Sequence, residues 1–216
     1  LSISSLFYSF TYIKEQPYVV VLGIVQDGGA PHAGCEKVCC VDKWNDPSLH
    51  NKVSSIGIVD PISNEVWMID ATPDFAEQLH LLTNNNKREL KGIFLTHAHI
   101  GHYVGLIHLG REVMSCDALP VYCMPKMAHF LRSDAPWNLL VEQGHIELHE
   151  LTHEHTVPLS DELSITPLNV PHRGEISETV CFEIKSSNKT ALHLPDIDNW
   201  EDWTTDLATK IKEVDV

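Results

Sequence analysis

The 216-residue chain carries 15 Lys and Arg against 30 Asp and Glu, a formal net charge of −15 with His neutral. Hydrophobic residues make up 43% and charged residues 21%, a globular composition that excludes a disordered tract or a collagen-like fibre. No uninterrupted apolar run approaches the ~18 residues of a membrane span, and so acidic a surface repels polyphosphate, which argues against nucleic acid as a partner.

Residues 1–17 read as an N-terminal segment. Leu1 to Tyr12 is apolar, Ser-rich and uncharged, in keeping with a signal-peptide remnant or an edge strand. The expected compartment is the cytoplasm, or the exported space if the remnant reading holds. Residues 18–216 read as one domain, and the charged, uncapped helical pattern from Lys210 to Val216 is expected to run on beyond its last residue.

Tyr18 to Val25 is β-branched and apolar, the pattern of a buried strand, and Asp27-Gly28-Gly29-Ala30-Pro31 breaks it into a loop that runs through Cys35, Cys39 and Cys40. Ser54–Val59 and Glu65–Ile69 form a predicted hairpin about the turn at 60–64. Asp70 closes the second strand, Pro73 can open a helix, and Phe75, Leu79 and Leu82 then share one helical face. Gly92–Thr96 is a short buried strand; His97–His102 follows as a loop and Tyr103–Met114 as a predicted helix. A strand over Leu119–Cys123 and a helix over Pro125–Arg132 come next. Beyond Pro136 the pattern turns to strands, His145–Leu151, Leu163–Val170, Thr179–Lys185 and Thr190–Leu194, before a helical stretch from Asn199 to Lys212. This order predicts an α/β or α+β layered domain.

Of 14 histidines, three crowd into Thr96-His97-Ala98-His99-Ile100-Gly101-His102. On a helix these offsets would spread the rings round the cylinder. In a loop at the carboxyl end of a strand, where open α/β folds place their ligands, they can converge. A second group, His145, His149, His153 and His155, alternates with Ile146, Leu148 and Leu151 and reads as a solvated strand and loop.

HxHxxH after a short apolar strand resembles the metal motif of the metallo-β-lactamase fold, an αββα sandwich of two mixed sheets flanked by helices. Asp70 matches the family's structural Asp at an early strand end, His172 in Asn169-Val170-Pro171-His172 matches a later ligand, and Asp196 in Leu192-His193-Leu194-Pro195-Asp196 matches the carboxylate that bridges two metals. The Gly28-Gly29-Ala30-Pro31 loop and Asp70-Ala71-Thr72-Pro73-Asp74 look like the branch of the pyrroloquinoline quinone (PQQ) biosynthesis protein B, with phosphonate-pathway phosphodiesterases more distant. The resemblance covers residues 18–198. It implies one metal position at His97, His99 and His172 and a second that keeps only His102 and Asp196, with Asp196 the catalytic carboxylate. The chain departs from the family's HxHxDH pattern at Gly101, where an Asp belongs, and it contains no match to the family's last His.

Neutral imidazoles with a carboxylate describe an open catalytic zinc site. Zinc-bound water has a pKa lowered to about 7, so the implied activity is hydrolysis of a small-molecule ester, lactone, amide or phosphodiester by a metal-bound hydroxide. Iron or manganese also suits these ligands. With Gly101 in the motif, one firmly held ion is expected, beside a weakened second position. A redox enzyme of the PQQ-biosynthesis type and a non-catalytic metal-binding module are the rival readings. The resembling branch also binds a structural zinc in its Cys-rich loop, which would fall here on Cys35, Cys39 and Cys40 with His32 or His50 as a fourth ligand; a disulfide or free thiols are the alternatives. Cys116, Cys123 and Cys181 sit in apolar settings and read as core. Asp74 fits the first turn of a helix, His193 a supporting or substitute ligand beside Asp196, and Arg173 and Glu175 the lining of the pocket.

Overall fold

The computed structural model describes residues 15–216; the reading of Leu1–Tyr12 as a signal remnant or strand lies outside them. The strands are β1 (Tyr18–Gly23), β2 (Ser55–Asp60), β3 (Glu65–Ile69), β4 (Glu89–Phe94), β5 (Leu119–Cys123), β6 (Ile146–Glu150), β7 (Val157–Pro158), β8 (Ser164–Asn169), β9 (Val180–Lys185) and β10 (Thr190–His193). The helices are α1 (Val41–Asn45), α2 (Phe75–Leu82), α3 (Ile100–Tyr103), α4 (Pro125–Ser133), α5 (Trp137–Glu142) and α6 (Leu207–Glu213).

The strands form two sheets, a six-stranded one ordered β1-β2-β3-β4-β5-β6 and a four-stranded one ordered β10-β9-β8-β7. In the first, β1, β2 and β3 pair antiparallel and β3 through β6 parallel; the second is antiparallel throughout. Side-chain alternation divides the core into layers. On β3, Val66 and Met68 face helices α2, α4 and α5 together with Phe75, Leu106, Met127 and Leu131, whereas Trp67 and Ile69 face the second sheet, where they join Phe94, Ile165, Phe182 and Ile184. Outside the second sheet, Leu168, Val170 and Cys181 pack with Trp203, and Leu207 of α6 leans on this cluster. The result is helices, sheet, sheet, helix: the αββα sandwich.

Several elements differ from the sequence reading. Strand β1 is not buried. Among the described residues it lies at the edge of its sheet, pairs only with β2, and exposes Val21 by 65%, beside an apolar groove between the sheet edges lined by Val19, Val21, Ile56, Leu163 and Ala191. The helix predicted over Tyr103–Met114 is α3 followed by 3₁₀ turns over Val104–Leu109. There Gly105 donates its N–H to the Ala71 carbonyl (2.8 Å) and its Cα faces the Thr72 carbonyl so closely that a Cβ would come within 2.4 Å of the oxygen. That clasp to the end of β3 draws the segment off an α-helical path. Helix α5 was not expected after Pro136; a single turn and a half around Trp137 and Leu140 is too short to show a period. The final helical stretch is two pieces, a 3₁₀ turn at Trp200–Asp202 and α6, with Asp206 capping the second through the Ala208 N–H at 3.2 Å.

Candidate metal centre

Strand β4 ends at Phe94, and the chain beyond it is pinned on both sides. Thr96 donates its N–H to Asp70 Oδ1 (2.8 Å) and its carbonyl accepts from Val180 N–H of the second sheet (3.0 Å). Ala98 N–H donates to Ser177 Oγ at 2.9 Å. His99 keeps an extended backbone (φ −77°, ψ 144°) at the start of α3, and that one helical turn brings His102 back beneath His97. The loop thereby converges the three rings: His97 lies 4.5 Å from His99 and 4.2 Å from His102, centroid to centroid. His172, beyond β8 of the other sheet, joins at 5.0 Å from His97 and 4.8 Å from His99.

Two groups of donor atoms result. In the first, His97 Nε2 and His172 Nε2 stand 2.9 and 3.1 Å from His99 Nδ1, and Asp196 Oδ2 is 3.3 Å from His97 Nε2. One ligand atom from each of these four residues falls within 4.8 Å of every other. In the second, Asp27, His102 and Asp196 meet the same limit, with His102 Nε2 3.3 Å from Asp27 Oδ1 and 3.0 Å from Asp196 Oδ2. Asp196 Oδ2 therefore belongs to both. The sequence placed His97, His99, His102, His172 and Asp196 together, and the structure does so. Asp27, which the sequence reading did not single out, stands beside His102 and Asp196 in the second group. The available signal was an acidic residue in the Gly-rich loop after β1, at the same end of the sheet.

Hydroxyl or carboxylate oxygens stand behind the imidazole nitrogens that face away from the ligand groups. His97 Nδ1 meets Thr96 Oγ1 (3.0 Å), His102 Nδ1 meets Asp70 Oδ2 (2.7 Å), and His172 Nδ1 lies 3.0 Å from Asp198 Oδ1, though outside hydrogen-bond angles. His99 Nε2 looks out at Glu175, 3.5 Å away. A carboxylate or hydroxyl behind a histidine fixes which nitrogen is left for a cation, the arrangement metal-binding histidines use. Without a cation, burial, reinforced by the positive charge of His102, pushes His97 down to about 4, so its ring is neutral and ready to ligate. Burial opposes a charge on His102 too, but Asp70, Asp196 and Asp27 overcome it and hold the ring up to about 12. Asp27 and Asp196 are both held below the usual carboxylate range, chiefly by His102. Four histidines and two carboxylates in this arrangement fit a divalent cation, with neutral nitrogen donors on one side and oxygen donors on the other.

Asp70 is wholly buried and acts as the structural carboxylate expected of it, receiving Thr96 N–H, Thr96 Oγ1–H and the edge of His102. Asp74 stands at the N-cap position of α2 without a side-chain capping bond; its Oδ2 instead accepts from Val53 N–H (2.8 Å) and ties the helix start to the loop before β2. His193 enters neither ligand group, and its Nε2 is buried without a hydrogen-bond partner. Arg173 and Glu175 border the small cleft above His97 and His99. The Cys35, Cys39 and Cys40 sulfurs lie near one another, 3.9 Å from Cys35 to Cys39 and 3.8 Å from Cys39 to Cys40, with no disulfide between them. Neither His32 nor His50 joins them: His50 Nε2 is 2.9 Å from the Lys43 carbonyl and His32 Nδ1 is 3.3 Å from the Ala33 carbonyl. His145, His149, His153 and His155 form no ligand group among the described residues.

A sequence profile of the beta-lactamase superfamily domain matches residues 67–216, which includes every residue of both ligand groups except Asp27. The chain belongs to that superfamily. Among curated proteins this superfamily member is 27% identical over 99 residues to coenzyme PQQ synthesis protein B of Methylorubrum populi, a match covering 43% of the chain and 33% of the relative. It is 26% identical over 109 residues to ribonuclease Z of Microcystis aeruginosa, covering 49% and 34%. The matches thus span about a third of those relatives' length. Its fold is shared with the zinc-bound PqqB of Methylobacterium extorquens (TM-score 0.70, 20% identity, 85% of this chain and 67% of that one). A diphosphatase of the PhnP family aligns with a TM-score of 0.58 and 23% identity, over 79% and 62%. The metallo-β-lactamase fold and the likeness to the PQQ protein B branch stand on these matches together.

Proposed function

We propose that this chain is a metal-dependent hydrolase of a small-molecule ester, lactone, amide or phosphodiester, with zinc the favoured ion and iron or manganese compatible with the same ligands. The observation that carries the reading is the convergence of His97, His99 and His172 with Asp196 from three separated segments. A divalent cation seated there supplies Lewis acidity, acidifying water and polarising a carbonyl or phosphoryl oxygen. The protein's own groups do the rest. Thr96 and Asp70 set the rings of His97 and His102, so little reorganisation is needed there when substrate arrives. Asp196, one-third exposed and central to both groups, is the carboxylate placed to take and return a proton.

Substrate has a place to lie. The cleft over His97 and His99 shares Glu175 and Ile176 with a 610 Å³ depression bounded by Lys126, His129, Phe130 and Asp134. That space suits a small molecule. The net charge of −15 disfavours a polyanion such as RNA, although ribonuclease Z is among the relatives.

The test is a panel of chromogenic esters, lactones, β-lactams and phosphodiesters with metal-replete protein, alongside His99→Ala. Turnover of one class, lost together with metal in His99→Ala, is expected. No turnover of any substrate refutes hydrolysis, and full metal retention in His99→Ala refutes its role as a ligand. The likeness to PQQ synthesis protein B supports a second reading, an oxidative metalloenzyme, which iron content and oxygen consumption would separate from the first.

The three cysteine sulfurs support a separate proposal, a structural zinc in the loop before α1. A Cys39→Ser variant that retains as many zinc equivalents per chain as the unsubstituted protein would overturn it.

A further inference from the structure

Gly101 stands where the superfamily's motif carries its aspartate, and the structure shows what fills that space. A Cβ built on Gly101 would lie 2.6 Å from Cα and Cγ of Asp27 and 2.7 Å from its Cβ, distances at which two side chains cannot coexist. The missing side chain at 101 is matched by a carboxylate that enters from the loop after β1. That loop is held in place by pairing of Val25 with Val53 and of Ala30 with Asn51. Asp27 Oδ1 reaches to 3.3 Å from His102 Nε2, and Asp196 Oδ2 approaches the same nitrogen at 3.0 Å. Among the described residues no Lys or Arg forms an ion pair with Asp27; its pairing is with His102.

We propose that Asp27 is a transposed metal ligand, supplying from another segment the oxygen that the motif aspartate would supply, so that Asp27, His102 and Asp196 hold a second divalent cation beside the three-histidine position. A cation responds to the position of an oxygen and not to the chain segment that delivers it, so the exchange keeps the donor set and changes only the connectivity. Gly101 is then a requirement of the second site and not a defect in it, because any side chain there would expel Asp27. This centre accordingly binds two ions, the second in a carboxylate-richer setting that suits manganese or iron better than the three-histidine position does. The proposal rests on the reading of His97, His99 and His172 as a metal site.

The experiment measures metal equivalents per chain by elemental analysis after loading with zinc and exhaustive dialysis, with circular dichroism to verify folding; every protein, the reference named wild type included, carries Cys39→Ser, so that no zinc of the cysteine loop enters the count. Wild type is expected to retain two equivalents and Asp27→Asn one. The double exchange Asp27→Gly with Gly101→Asp should regain two, and His99→Ala should lose the equivalent that Asp27→Asn keeps. Two equivalents retained by Asp27→Asn, or a single one in wild type that Asp27→Asn leaves untouched, overturns the transposition while leaving the three-histidine site standing. No zinc retained by wild type overturns both. If the double exchange does not fold, the comparison of wild type with the isosteric Asp27→Asn decides alone.

Discussion

Asp70→Asn tests how the buried carboxylate controls the metal centre. Asp70 has no exposed surface and its oxygens can only accept, so the His102 nitrogen 2.7 Å away must carry a proton, which leaves Nε2 to face Asp27 and Asp196. Asparagine can still accept from Thr96 N–H through one oxygen, but its amide nitrogen then faces His102. The ring must answer with a lone pair at Nδ1 and place its proton on Nε2, the nitrogen that looks toward the cation. Changes of this kind behind a ligand typically cost 10–100-fold in metal affinity, about 1.4–2.8 kcal/mol. In metal-free protein the lost charge-assisted contact costs about 1.5–3 kcal/mol, a sizeable part of ordinary domain stability. Chelator-competition titration with zinc gives the first quantity and urea unfolding of the stripped protein the second. Wild-type zinc affinity together with a wild-type unfolding midpoint would show that Asp70 does not set the state of His102.

Other substitutions probe the layers that hold the site. Gly57→Ala places a methyl group 2.2 Å from Leu82 Cδ1 in the packed helix layer and should destabilise by about 1–3 kcal/mol, read as a lowered thermal midpoint; an unchanged midpoint would mean Leu82 has room to move. Phe182→Ala removes a ring that meets Phe94 edge-on at 5.6 Å between the sheets, and a loss of about 3–5 kcal/mol is expected in denaturant unfolding. Burial opposes the charge of Glu183, yet Lys185 and Lys210 keep its carboxyl below the usual range. Because its folded pKa is depressed, its contribution is complete above the unfolded pKa of about 4.3 and is lost as pH falls through the folded value. Lys210→Met should therefore flatten the acid-side decline in unfolding free energy; identical acid slopes in the two proteins would rule that linkage out.

What the sequence disclosed follows from how local each signal is. Strand β3 was legible because Val66 and Met68 alternate with Trp67 and Ile69, a pattern complete within five residues. The histidine loop was legible because its spacing fits a strand end and not a helix. Strand β1 misled because the same apolar alphabet serves a central strand and an edge strand beside a groove, and only the sheet order separates them. The path after Tyr103 depends on the Gly105 clasp to Ala71, a contact between segments that no window around 105 contains. Asp27 was missed for the same reason. The motif carries its own spacing, and the oxygen that answers Gly101 comes from the loop after β1, a segment far from it in the chain.

The ligand groups draw on both layers of the sandwich: Asp27, His97, His99 and His102 follow strands of the six-stranded sheet, and His172 and Asp196 follow strands of the four-stranded one. A bound cation would rivet one sheet to the other, and prying them apart would first require giving up the ion. Resistance to heat and protease should then rise with free metal concentration, so that the availability of the ion in its surroundings would set how long the folded chain survives.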